Sequence, residues 1–187
     1  MLNNLFKRAT SVQALLKGLN VPFTFIGGIA NAIIGDMRTT IDADLLILVP
    51  DEELEAFILS LSQHARLRPQ NPIDFAMTTR IIPAEFPDGF RVDFILAGLD
   101  FEKDVIKRSL EMPSGEGGRL QIATAEDLII MKIISTRPKD REDVKGIVAR
   151  QAGQLDLAYI HKWLKLFEQS LDRSDLIVDL NKLIAER

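Results

Sequence analysis

Two aspartates one residue apart, Asp42 and Asp44, stand at the mouth of an apolar run, Leu45 to Val49, whose Leu, Ile and Val content marks a buried strand. Side chains two apart on a strand share a face, so both carboxylates point the same way. At ~4 Å they repel by about 1 kcal/mol in water and about 4 kcal/mol at an effective dielectric of 20, so a fold that keeps the pair has to supply a cation or a proton. A hard cation that prefers oxygen ligands, such as Mg2+, suits two carboxylates. Just upstream, the glycine pair Gly27-Gly28 follows the apolar run Phe23 to Ile26, and Ile29 to Ile34 reads as a short helix ended by Gly35. The stretch GGIANAIIGDMRTTIDAD, from Gly27 to Asp44, thus sets a strand-to-helix turn ahead of the acids. Without side chains, the two glycines let backbone N–H groups approach an anion where the helix dipole favours one.

Composition narrows the chemistry. The chain has no cysteine, which excludes disulfides, thiolate zinc sites and cysteine nucleophiles, and its two histidines, His64 and His161, leave no material for a histidine-rich metal site. A net charge of -4 offers no bulk attraction to nucleic acid or to an anionic membrane. The 187 residues suffice for one well-buried domain, or for one with a helical extension. The start, MLNNLFKRAT, lacks a secretory pattern, and the uncharged run from Gly18 to Gly35 is broken by Pro22 and by glycines, so it reads as core and not as a membrane span. A cytoplasmic protein is expected.

Leu5, Ala9, Val12, Leu16 and their neighbours recur at spacings of three and four, which predicts a helix over 3–18. Strands follow at 23–26 and 42–49, and Pro50-Asp51 starts a helix over 52–63. The segments 74–82 and 90–97 read as strands of a hairpin around Pro87-Asp88-Gly89. Alternation in the second strand puts Arg91 and Asp93 on one face and Val92 and Phe94 on the other, and leaves Asp93 as an acid in a strand that otherwise looks buried, in need of a partner. A helix over 101–110 and a glycine-rich loop at Ser114 to Gly118 come next. From Thr124, whose hydroxyl lies three residues ahead of Asp127 in a capping pattern, everything is helical: a run through Lys132, a helix from Pro138 to about Ala152, and amphipathic helices over 156–170 and 173–185. His161, Trp163 and His64 read as packing or solvated residues.

Taken in order, Gly27-Gly28, Arg38-Thr39-Thr40, Asp42-x-Asp44 and the later strand acid Asp93 resemble the nucleotidyltransferase superfamily with the DNA polymerase beta-like fold, and most closely its small prokaryotic AbiEii-like and aminoglycoside-nucleotidyltransferase-like members. The likeness spans about residues 20 to 150. It implies an α/β (α+β) fold, a small mixed sheet flanked by helices, with a catalytic core over 1–123 and a helical C-terminal region over 124–187. It implies catalytic and metal-holding roles for Asp42, Asp44 and Asp93, with Asp93 as a second metal ligand or as the base for the acceptor hydroxyl. Gly27, Gly28, Arg38 and Thr40 would bind the nucleotide. That family often has a serine where this chain has Gly28, so phosphate contact at the turn rests on backbone amides.

A second cluster, Lys132, Arg137, Lys139, Asp140 and Asp143 in MKIISTRPKDREDV, resembles a segment of the AbiEii-like members in which the lysine meets the nucleotide phosphates. Asp140 and Asp143 sit on the first turns of a helix, where the dipole alone favours acids; they are also placed to orient Lys132 or Arg137. The reading is a Mg2+-dependent enzyme that moves a nucleotidyl group from ATP or another NTP to a hydroxyl of tRNA, a protein or an aminoglycoside-like small molecule. A toxin–antitoxin role with an antitoxin partner belongs to the same reading. The alternative is a non-catalytic nucleotide-binding or regulatory module that keeps the fold.

Overall fold

The computed structural model describes residues 2–36, 41–115, 118–135, 137–151 and 153–186. Its elements run α1 (Leu2–Gly18), β1 (Phe23–Ile26), α2 (Gly27–Ile34), β2 (Asp42–Ile47), a 3-10 turn (Asp51–Glu53), α3 (Leu54–Ser62), β3 (Arg66–Leu67), α4 (Pro72–Thr79), β4 (Ile81–Glu85), β5 (Arg91–Leu96), α5 (Asp100–Arg108), β6 (Leu110–Pro113), β7 (Arg119–Ile122), α6 (Ala125–Ile134), α7 (Pro138–Arg150), α8 (Leu157–Leu171) and α9 (Leu176–Ala185). The chain divides into two compact units: Met1–Ile29 with Thr39–Ile122, and Ala30–Arg38 with Ala123–Arg187.

The first unit holds a mixed seven-stranded sheet in the order β3-β4-β5-β2-β1-β7-β6. β2 runs antiparallel to β1 and parallel to β5, and β4 is antiparallel to β5. Strand alternation sorts the faces. Ala43, Leu45 and Ile47 of β2, Val92, Phe94 and Leu96 of β5, and Ile82 and Ala84 of β4 share one fully buried face. Phe57 of α3 meets Phe94 edge to face at 6.3 Å, so this helix covers that face. Asp42, Asp44, Arg91, Asp93, Pro83 and Glu85 lie on the opposite face and are only half-buried.

The second unit is helical. Leu128, Ile129 and Ile133 of α6, Val144 and Ile147 of α7, Ile160 and Leu164 of α8, and Leu176 and Leu180 of α9 are among its buried apolar side chains. α6 starts at Thr124, whose hydroxyl accepts from the Asp127 backbone N–H and donates to the Asp127 carboxylate at 2.8 Å. The Tyr159 hydroxyl donates to the other carboxylate oxygen at 2.7 Å, which satisfies an acid with no exposure at all. No described helix is long and apolar enough to cross a membrane.

Three expectations are corrected. Residues 74–82 are not one strand: Pro72 takes the first helical position of α4, which ends at Arg80 in a left-handed conformation (φ 60°), and the strand begins only at Ile81. Ile73, Phe75 and Met77 alternate as strand residues do, yet all three are exposed, and Ala76 is the buried side chain of that helix. Gly27 and Gly28 are not a separate turn but the first residues of α2, because Gly27 adopts φ +57° and carries the chain straight from strand into helix. The helix expected over 101–110 stops at Arg108; Leu110–Pro113 instead pairs antiparallel with Arg119–Ile122, and the Ser114 backbone N–H donates to the Gly118 carbonyl next to that pairing.

Candidate active site

β2 and β5 pair in parallel with Asp42 beside Arg91 and Asp44 beside Asp93. Laterally paired residues point to the same side of a sheet, so the three acids occupy one patch, Asp44 and Asp93 next to each other and Asp42 two residues along. Ile26, the last residue of β1, pairs with Asp44 on the other flank, which brings the start of α2 to the same place. There the fit is close: a β-carbon on Gly27 would lie 2.0 Å from Asp44 Oδ2 and 2.8 Å from its Cγ. Only a glycine leaves room for that carboxylate, and only a glycine adopts φ +57° without strain.

Gly27→Ala is therefore expected to push the Asp44 carboxylate out of place and to cost about 1–2 kcal/mol through the left-handed backbone alone. Urea unfolding reads the stability loss. A variant as stable as the parent would show that neither the φ value nor the contact constrains the turn.

Two of the three acids are paired with arginines. Arg91 donates to Asp42 in two-pronged fashion, Nε to Oδ1 at 2.8 Å and Nη2 to Oδ2 at 3.0 Å. Arg68, just past β3, donates to Asp93 Oδ1 at 2.9 Å. The Asp93 side chain is 39% exposed, so it is not the buried acid expected from the sequence. Among the described residues, no group of three or more acids or histidines is gathered closely enough to hold a metal ion. In kind, three carboxylates on one face still fit a hard cation, since they supply oxygen ligands alone.

The comparisons with known proteins separate sequence from structure. No family model and no curated protein matches the sequence. Solved structures do match. The solution structure of the antibiotic-resistance factor ANT(2'')-Ia aligns over 92% of this chain and 97% of its own at a TM-score of 0.61 and 14% identity. An antigenic nucleotidyltransferase-like protein from Paracoccidioides brasiliensis aligns over 96% and 93% at 0.54 and 16% identity. The lincosamide antibiotic adenylyltransferase LnuA, in a lincomycin-bound crystal structure, aligns over 75% and 94% at 0.50 and 12% identity. The chain has the nucleotidyltransferase fold.

On this nucleotidyltransferase fold, the expected residues Gly27, Gly28, Asp42, Asp44 and Asp93 all belong to the first unit. Arg38 and Thr40 lie outside the described residues. Lys132 belongs to the second unit, where its side chain is 7% exposed and its ammonium donates to Asp143 Oδ2 at 2.5 Å and Asp140 Oδ1 at 3.3 Å. Asn31, a fully buried residue in the middle of α2, donates to Asp143 Oδ1 and to the Asp36 carbonyl. Ser135 and Arg137 complete the shell around Asp140, each at 2.7 Å from Oδ2.

Burial alone would raise the Asp140 carboxyl, but hydrogen bonds from Ser135 and Arg137 and the charge of Lys132 outweigh it and hold the group below the ordinary aspartate range. An acid held low contributes stability above its unfolded pKa and loses it as pH falls through the folded one. The stability gap between the parent and Asp140→Asn, from urea unfolding, is thus widest near neutral pH and narrows below about pH 4. A gap independent of pH would refute this account.

Sequence reasoning passed over Arg68, Arg91 as a partner of Asp42, and Asn31. Arg91 shares a face with Asp93 by simple alternation, and Asn31 is the polar residue inside the apolar run GGIANAII. Nothing in the sequence ties Arg68 to Asp93.

Proposed function

We propose that this protein transfers a nucleotidyl group from a nucleoside triphosphate to a hydroxyl on a small-molecule acceptor, with Mg2+ held by Asp42, Asp44 and Asp93. The observation that carries the reading is the β2–β5 register, which sets the three acids on one face, with Asp44 beside Asp93 and against a glycine that opens a helix. Bound there, Mg2+ would supply charge neutralisation at the attacked phosphate and the departing diphosphate. The backbone N–H groups of Gly27 and Gly28 take phosphate oxygens at the start of α2. Asp93 accepts the proton of the acceptor hydroxyl as its oxygen bonds to the α-phosphorus; the α–β bridging bond breaks, and pyrophosphate leaves with the electron pair. Arg38, Thr40 and Lys132 are proposed as further nucleotide contacts.

A small-molecule acceptor is favoured over tRNA because the net charge of -4 gives little counterion-release drive toward a long RNA footprint. ANT(2'')-Ia is an antibiotic-resistance factor and LnuA a lincosamide adenylyltransferase, which supports the same class of acceptor. A protein acceptor and a toxin–antitoxin pairing form the variant of this reading in which the hydroxyl is macromolecular. We place the activity in the cytoplasm, with residues 1–123 as catalytic core and 124–187 as its helical partner region.

One observation favours a second reading. Both Asp42 oxygens and one Asp93 oxygen already accept from arginines, an arrangement that also suits a nucleotide-binding module without catalysis. A screen of labelled NTPs with Mg2+ against aminoglycoside, lincosamide, tRNA and protein acceptors decides between them. Labelled product establishes transfer and names its acceptor, nucleotide binding without product supports the module, and neither refutes both.

A further inference from the structure

Resting on the metal-dependent reading above, we propose that Arg91 and Arg68 are resident counter-cations of the acid patch that give way to the divalent metal, so that metal loading is an exchange and not a simple addition. Three carboxylates on one sheet face repel one another strongly enough to need compensation, and guanidiniums pair with two of them, Asp42 and Asp93. The compensation is built to be released. The four side chains are between 39% and 46% exposed, so solvent screens both pairs and neither is locked by burial. The Arg91 fork donates to both oxygens of Asp42, so a metal that binds that carboxylate competes with the fork for its charge and lone pairs.

Arg91 also has somewhere to go. In the sheet register it lies between Asp42 on β2 and Glu85 on β4, so a guanidinium displaced from Asp42 has a second carboxylate on its other flank. Arg68 is anchored differently: its backbone N–H donates to the Pro83 carbonyl, so the side chain can swing away from Asp93 while the main chain stays in place. Each arginine thus lowers the affinity for the metal while it stabilises the metal-free face.

The test is a Mn2+ titration of the full chain, with the free aquo-ion signal in electron paramagnetic resonance as the readout. Arg91→Gln and Arg68→Gln are each expected to bind Mn2+ about two- to fivefold more tightly than the parent. Arg91→Lys, which keeps the charge and loses the fork, should fall between parent and Arg91→Gln. Unchanged or weaker binding in both glutamine variants overturns the exchange. Asp44→Asn separates this failure from that of the underlying reading. If Asp44→Asn loses Mn2+ while the arginine variants match the parent, the exchange alone is wrong. If Asp44→Asn binds as the parent does, or if no protein binds Mn2+, the metal site falls and the exchange with it.

Discussion

Asp44→Ala is expected to lower the rate of nucleotidyl transfer by roughly a thousandfold, about 4 kcal/mol of barrier, with the protein still folded. Asp44 sits at the centre of the patch, between Ile26 of β1 and Asp93 of β5, and its carboxylate fills the space left by Gly27. On the proposed reading, its removal would take one ligand from the metal and leave a void at the turn proposed to receive the phosphates. Asp42→Ala should be nearly as damaging. If the two acids serve one ion, as proposed, the double variant is expected to be little slower than the worse single one. Single-turnover rates with labelled nucleotide, together with circular dichroism to confirm folding, check this. Activity that survives either substitution would remove the carboxylates from the mechanism.

The second large effect concerns stability. Lys132→Met takes away the ammonium that Asp140 and Asp143 share, at a site where the three side chains are 7%, 1% and 6% exposed. Breaking a buried pair from one side strands the other charges, and a loss of about 3–5 kcal/mol is expected in urea unfolding. Replacing all three together, as Lys132→Met with Asp140→Asn and Asp143→Asn, should recover most of that loss, since no charge is then left buried. A single-variant cost under about 1 kcal/mol would mean that the ammonium does not hold the two acids. The triple variant also decides what Lys132 does for the nucleotide. Unaltered NTP affinity assigns the lysine to the scaffold, and a clear loss in a folded protein assigns it to the phosphates.

Much of this organisation is legible in the sequence wherever one periodicity acts alone. Leu5, Ala9, Val12 and Leu16 announce α1, and Asp42 and Asp44, like Arg91 and Asp93, announce a shared face through alternation. Local patterns fail where two of them compete. Ile73, Phe75 and Met77 mimic a strand, but Pro72 and the helix bonds that follow prevail, and the apolar side chains are left exposed. The site divides along the same line. That Asp42 and Asp44 point together follows from the chain itself, whereas their alignment with Asp93 depends on the register of β2 against β5, which no local pattern encodes. The arginine partners come from that same register and from the residue just past β3, an element of two residues with no periodicity to detect.

The far end of α2 carries a consequence for how the chain assembles. Its last carbonyl and the one just after it are taken by residues more than a hundred positions later: Gln151 donates to the Ile34 carbonyl, and Arg150 donates to that of Gly35. A ribosome adding 5–20 residues per second needs roughly 6–23 s to make the intervening 115 or so residues. Until α7 emerges, the Ile34 and Gly35 carbonyls lack these two partners. The acid-bearing strands can pair well before then, so nascent chains would display the carboxylates some seconds ahead of a finished α2.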